Sequence, residues 1–293
     1  MEPPLVAQEP EARSNWQLFR RRFVRHRMAL VSIVILVILM IACFGAPWLA
    51  PHKQNAQSFL DSDLGPSLKH PFGTDSLGRD QLSEIMYAGR ISLRIGLVVA
   101  ILSTIVGVTV GSVAAFFGRR TDSFLSAFID LVLILPDLAL LAVAVQRFGH
   151  GDVSIILVLA ALSWTYLART VRAQVLSLKE KEFIEAARAS GASNRRIILQ
   201  HIVPNCIGVI MVNATLTVAA AISVEAALSF LGLGVQPPAN SWGRMLAGAE
   251  QYVGNFSKFY RVFFPGFMLL LTILAVNFLG DALRDAFDPQ SQH

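Results

Sequence analysis

Of 293 residues, 54% are hydrophobic and only 15% charged, against roughly a quarter charged in an average soluble domain, which argues against an ordinary water-soluble enzyme. The apolar residues lie in long blocks, with a mean hydropathy of +0.55, the pattern of a lipid-embedded helical bundle. A net charge of +5 would suit nucleic acid if it were clustered on one face, but the basic residues sort instead between two sides of a membrane.

About 20 mostly apolar residues cross roughly 30 Å of hydrocarbon as a helix, and six stretches meet that demand: 29–49, 92–117, 124–145, 153–168, 207–224 and 262–279. The first resembles a secretory signal, because Arg20, Arg21, Arg22, Arg25 and Arg27 precede it and Ala42, Gly45 and Ala46 follow its apolar centre. Its full span length and long preceding tail favour an uncleaved anchor. Lysine and arginine are retained on the cytoplasmic side. With the N-terminus inside, the inner segments hold sixteen of the 25 basic residues, the outer ones eight, and Arg94 lies within the second span. Both termini are therefore expected inside. The expected organisation is a basic cytoplasmic tail (1–28), a first transmembrane helix (29–49), an extracytoplasmic segment (50–91), a five-helix core (92–281) with an inner loop (169–205), and a cytoplasmic tail (282–293). The tail's arginines read as a topology signal and a contact for anionic lipid, not as a nucleic-acid site.

Cys43 falls near the outer end of the first span and Cys206 near the inner start of the fifth. A membrane thickness between them excludes a disulfide, and two small core residues are the default reading. No Cys/His spacing suited to a metal is present. Asp130 and Asp137 lie seven apart on the third span, near one face, and acids at that depth face protein or water. Pro136 lies beside them. Gly107 and Gly111 on the second span permit close helix packing, within the chain or at a subunit seam. Glu225, at the outer end of the fifth span, reads as a helix-end acid or as a substrate contact near the mouth.

The inner loop is charged and helical. Residues 180–190 favour a helix with a small apolar face, from Phe183, Ile184 and Ala187, beside a charged one. Gly191 suits the left-handed conformation that ends it, and Ser193 or Asn194 suits the cap of a second helix that stops before Pro204. The alanines leave one face low enough to lie in another protein's groove. The expected product is a short helix along the membrane surface, joined to two spans.

The order Glu185, Ala186, Ala187, three residues, Gly191, twelve residues, Pro204 resembles the "EAA" loop of ABC-importer permeases, with Ser190 where that family usually has Asp. The wider context is similar to the dipeptide/oligopeptide branch. It comprises H-P-F-G-T-D-S-L-G-R-D (70–80), R-I-I-L-Q-H-I-V-P-N (196–205), S-F-L-G-L-G-V-Q-P-P (229–238) and L-G-D-A-L-R-D-A-F-D-P (279–289). The chain thus resembles the C-type permease subunit of a dipeptide/oligopeptide ABC importer. The resemblance implies an all-α membrane fold of six helices, the type I importer permease, with cytoplasmic ends. It also implies a B-type sister permease, two cytoplasmic ATPases, an extracytoplasmic solute-binding protein and a peptide substrate. Glu185, Ala186, Ala187, Gly191, Arg195 and Pro204 would form the ATPase-coupling element, and Asp130 and Pro136 match family positions where Asp137 departs from the usual small residue. ATP and Mg would be used by the partner chains, with no cofactor or catalytic residue here. Consistently, no G-x-x-x-x-G-K-[ST] phosphate loop is present. A nickel or other small-solute importer of the same family shares every motif. The rival class is a proton-coupled transporter relying on Asp130, and a membrane enzyme lacks any visible nucleophile–base pair.

Overall fold

The computed structural model describes residues 23–24, 26–149 and 151–287. The basic tail up to Arg22, Arg25, and residues 288–293 lie outside them. The described chain is helical, with one isolated bridge between Thr74 and Asp80.

Helix α1 (Arg27–Phe44) starts where the His26 ring nitrogen accepts the Ala29 amide, and it ends at Gly45. Helix α2 (Gln81–Phe117) has 37 residues, about 55 Å at 1.5 Å per residue. It exceeds the hydrocarbon thickness, so residues 81–91, expected in the outer segment, are three further helical turns. Asp80 sets that start by accepting the Ser83 amide at 2.9 Å, as an N-cap does.

The apolar stretch 124–145 is a correction to the expected continuous third span. It is divided between α3 (Arg119–Ile134) and α4 (Asp137–Phe148), with Leu135 extended (φ −73°, ψ 136°) before Pro136. Proline disfavours a helical residue before it and has no amide to donate. Five helices among the described residues are each long and apolar enough to cross a membrane: α1, α2, α5 (Asp152–Leu178), α8 (Ile207–Phe230) and α10 (Tyr260–Phe287). Between α5 and α8 lie α6 (Glu182–Ala189) and α7 (Asn194–Ile197), and α9 (Trp242–Ala249) precedes α10.

Helix α2 is the central post. One face meets α5 and α8 through Ile95, Val99, Ile155, Leu159, Ala221 and Leu228. Another meets α1, α9 and α10 through Leu93, Cys43, Trp242 and Leu269. Gly107 and Gly111 lie on the α5 side, where a Cβ at Gly107 would stand 2.9 Å from the Trp164 carbonyl oxygen and one at Gly111 would strike that of Ala168. Backbones this close exclude any larger side chain. Away from these contacts α1 exposes Val31, Val34, Ile38 and Ile41, an apolar face suited to lipid.

Candidate functional site

Two places carry chemistry, one at each end of the bundle. At the first, α5 runs into a hairpin of α6 and α7. Ile184 on α6 has no exposed surface and joins Ile197 and Ile202 against Phe116 of α2, Val171 and Val175 of α5, and Ile210 of α8. The remaining circumference of α6 stays open: Glu182, Phe183, Glu185, Ala186 and Ala189 are exposed and Ala187 half-buried. The helix ends as anticipated in chemical terms. Gly191 has φ +77°, its amide donates to the Arg188 carbonyl, and the Ala192 amide donates to that of Ala187 at 3.0 Å. This pair of bonds is the Schellman closure, which requires a left-handed residue at Gly191. Arg188 lies over the Phe116 ring at 5.4 Å, and Lys179 Nζ donates to the Ala115 carbonyl at 3.3 Å, at the negative end of α2.

The exit from the hairpin differs from expectation. Ser193 caps α7 by accepting the Arg196 amide, but the helical path does not stop before Pro204. It passes through a π turn (Ile198–Ile202) and a helical turn over Val203–Asn205 before reaching α8. A proline in regular α geometry clashes with the carbonyl four residues earlier, and the wider π turn just before Pro204 accommodates it. Arg195 and Pro204 are exposed. The hairpin is therefore bolted to α2, α5 and α8 while Glu185, Ala186, Gly191 and Arg195 face outward.

Above the hairpin, α3 is tied to α5 by charge. Arg172 grips Asp122 with two nitrogens at 2.5 and 2.8 Å, and Arg169 pairs with Asp130. Asp130 thus has a cationic partner, the usual arrangement for an acid at membrane depth. The side chain of Asp137 lies outside the description.

At the opposite end, the 70–80 segment is a clasp. Asp75 Oδ1 accepts the amides of Leu77 and Arg79, and its other oxygen takes the Arg79 guanidinium at 2.6 Å. Thr74 presents its carbonyl to the Tyr260 hydroxyl at 2.8 Å, while Asp63 receives Lys258 and Arg261. These bonds fasten the loop to the start of α10. Asp80 is nearly enclosed; burial raises its pKa, but hydrogen bonds from His70 and Ser83 more than offset this, leaving the carboxyl below its ordinary value.

Glu225 is fully buried in α8, accepting Ser229 Oγ at 2.7 Å and Ser92 Oγ at 3.5 Å. Ser92 also accepts the Trp242 amide, and Trp242 Nε1 donates to the Ile85 carbonyl at 3.0 Å, so the acid belongs to the junction of α2, α8 and α9. Beside that junction opens a cavity of about 510 Å³ lined by Asn55, Arg79, Glu84, Arg244, Glu250 and Pro238, among others. Burial, then the nearby Arg79 charge, lowers the pKa of Arg244. Most of the lining comes from the two outer segments, 50–89 and 232–261, that in sequence read as the walls of an outer mouth, whereas spacing does not single out the grouping of His52, His70 and Asp80, whose residues meet only through the folded loop.

Comparison with known proteins gives concordant results. A family model described as "Binding-protein-dependent transport system inner membrane component" matches residues 107–293, and one for the "N-terminal TM domain of oligopeptide transport permease C" matches residues 14–71. The chain is 40% identical over 285 residues to the oligopeptide transport system permease protein OppC of Haemophilus influenzae, covering 96% of this chain and 91% of that protein. It is 40% identical over 270 residues to the dipeptide transport system permease protein DppC of Bacillus subtilis, covering 92% and 84%. A putative peptide permease of Brucella suis is 42% identical over 271 residues, covering 92% and 90%. In fold, the chain is similar to an inward-facing structure of the MetNI methionine ABC transporter, with TM-score 0.55 and 19% identity, covering 68% of this chain and 93% of that one.

Proposed function

Because the chain belongs to the family of binding-protein-dependent transport system inner membrane components, we propose that it is the C-type permease of an ATP-driven importer, forming half of the path by which di- or oligopeptides cross the inner membrane. The relatives named as oligopeptide and dipeptide permeases support this reading over most of the chain. Six crossings follow if α3 and α4 together make the third, and the excess of basic residues on the hairpin side supports cytoplasmic termini. The other half of the path is a B-type sister permease. Two ATPases lie beneath the hairpin, and a solute-binding protein delivers peptide to the opposite face.

The observation that carries the mechanism is the two-sidedness of α6: Ile184 is locked among α2, α5 and α8 while Glu185 and Ala186 lie open on the other side. A partner pressing on the open face moves the anchored spans as a body, so closure of an ATPase pair becomes a change of access between the two membrane faces. Glu185 supplies a charge for that contact, the alanines let the partner approach, and Gly191 and the turn through Pro204 fix the hairpin's angle.

The test is reconstitution with the sister permease, ATPases and binding protein in liposomes. Glu185→Ala and Gly191→Pro are expected to abolish peptide uptake, the second because proline cannot adopt φ near +77°. Uptake that persists in both variants, is indifferent to ATP, and stops in Asp130→Asn would instead establish proton coupling.

A further inference from the structure

We propose that the clasp end of the bundle binds one divalent transition-metal ion, of the zinc class, between His52, His70 and Asp80, as a structural staple rather than as cargo. One donor atom from each of the three residues lies within 4.8 Å of the others. His52 Nδ1 stands 3.8 Å from Asp80 Oδ2, and His70 Nδ1 stands 2.9 Å from Asp80 Oδ1. The two imidazoles stack with centroids 5.3 Å apart, one nitrogen of each ring facing an oxygen of Asp80.

The hydrogen bonding of this cluster is incomplete in a telling way. His52 Nδ1, the nitrogen that faces Asp80, is buried without a hydrogen-bond partner among the described residues, and His70 Nδ1, bonded to Asp80 Oδ1, would exchange that bond for the ion. A buried imidazole nitrogen without a partner is uncommon, and a bound ion is one of its standard explanations. The surrounding bonds are those of a supported ligand. Asp80 Oδ2 accepts both the amide and the hydroxyl of Ser83, and the His52 amide donates to the same hydroxyl at 3.1 Å. Such outer bonds orient the ligands of protein-bound metals.

Two imidazoles and one carboxylate suit zinc and its neighbours better than calcium or magnesium, which prefer oxygen. Donors placed about 2.0–2.1 Å from a tetrahedral ion are roughly 3.3 Å apart, so His52 needs to close on Asp80 by about half an ångström and His70 to draw back from it by about 0.4 Å. His52 lies on a loop with its side chain 39% exposed, which permits that movement and leaves a route for the ion and for water as the fourth ligand. Once bound, the ion would join the segment leaving α1 to the 70–80 clasp at the start of α2.

The experiment uses the full chain with whatever subunits it assembles with, purified in detergent, stripped with chelator and dialysed against zinc or cobalt(II). Expected are one zinc per chain by elemental mass spectrometry, the strong visible absorption of a tetrahedral cobalt site, and a rise in thermal stability on zinc addition. His52→Gln is the decisive variant, since it keeps the backbone bond to Ser83; it should weaken metal retention at least tenfold and remove the stability rise. His70→Gln adds a second reading only if it purifies normally, because it also loses the pair with Asp80. Zinc retention equal in wild type and His52→Gln, or no zinc in either, would overturn the proposal. Peptide uptake is not the readout, so either result leaves the transport assignment untouched.

Discussion

Ile184 has no exposed surface although the helix that carries it is open around most of its circumference. That one side chain converts a surface helix into part of the bundle, because it fills the space between Phe116, Val171 and Ile210. Truncation to alanine removes the packing and leaves a cavity, a change that typically costs about 2–5 kcal/mol. Ile184→Ala is therefore expected to speed amide hydrogen exchange across 182–189 with little change in the middle of α2. Unchanged exchange at the hairpin would mean that its loop connections alone hold it. Gly191 acts at the same scale through the backbone, since a non-glycine residue in the left-handed region costs roughly 1–2 kcal/mol.

At the scale of elements, the contact between α2 and α5 is set by small residues and the contact between α3 and α5 by charge. Leucine at Gly111 has no room beside the Ala168 carbonyl, so Gly111→Leu should separate α2 from α5 and sharply reduce the amount of folded protein recovered in mild detergent. Near-normal recovery would show that the helices can part without penalty. The pair of Asp122 and Arg172 makes a different prediction. Asp122→Arg and Arg172→Asp should each lower thermal stability, and the double reversal should recover most of the loss, because bidentate pairing depends on opposite charge more than on which helix carries which sign. A double variant no better than the sum of the singles would show that each residue acts through separate partners.

For the whole molecule, the hairpin and the clasp mark opposite ends of one bundle, and the proposed orientation puts the hairpin inside. The native Cys43 and Cys206 are both buried, so they should be silent toward a membrane-impermeant maleimide. Leu68→Cys, fully exposed just before the clasp, should then label in intact cells. Ser190→Cys, exposed at the end of α6, should label only after the inner membrane is opened. Labelling of both from the same side would refute the proposed topology. The same arrangement explains why the helices outrun the apolar stretches that announced them. Hydropathy reports the part of a helix that lipid surrounds, whereas the backbone hydrogen bonds of α2 continue to Asp80 and those of α5 to Leu178.

The membrane class, the places of the apolar helices, and the hairpin with its stop at Gly191 are all legible in local residue patterns. Each of these rests on short-range physics: transfer of apolar runs into lipid, helix propensity, and the conformational freedom of one glycine. Tertiary structure decided the rest. Pro136 and Pro204 both stand in helical stretches, yet one breaks its span and the other is carried through by a π turn, because the second is buttressed by Ile202 and Ile197 in a packed corner. Glu225 reads as an interfacial acid in sequence, but Ser92 and Ser229 enclose it in the core. His52, His70 and Asp80 are 28 positions apart from first to last, and only the folded clasp brings them together. Contacts between residues far apart in the chain depend on how elements pack, and no local pattern of residue types encodes that packing.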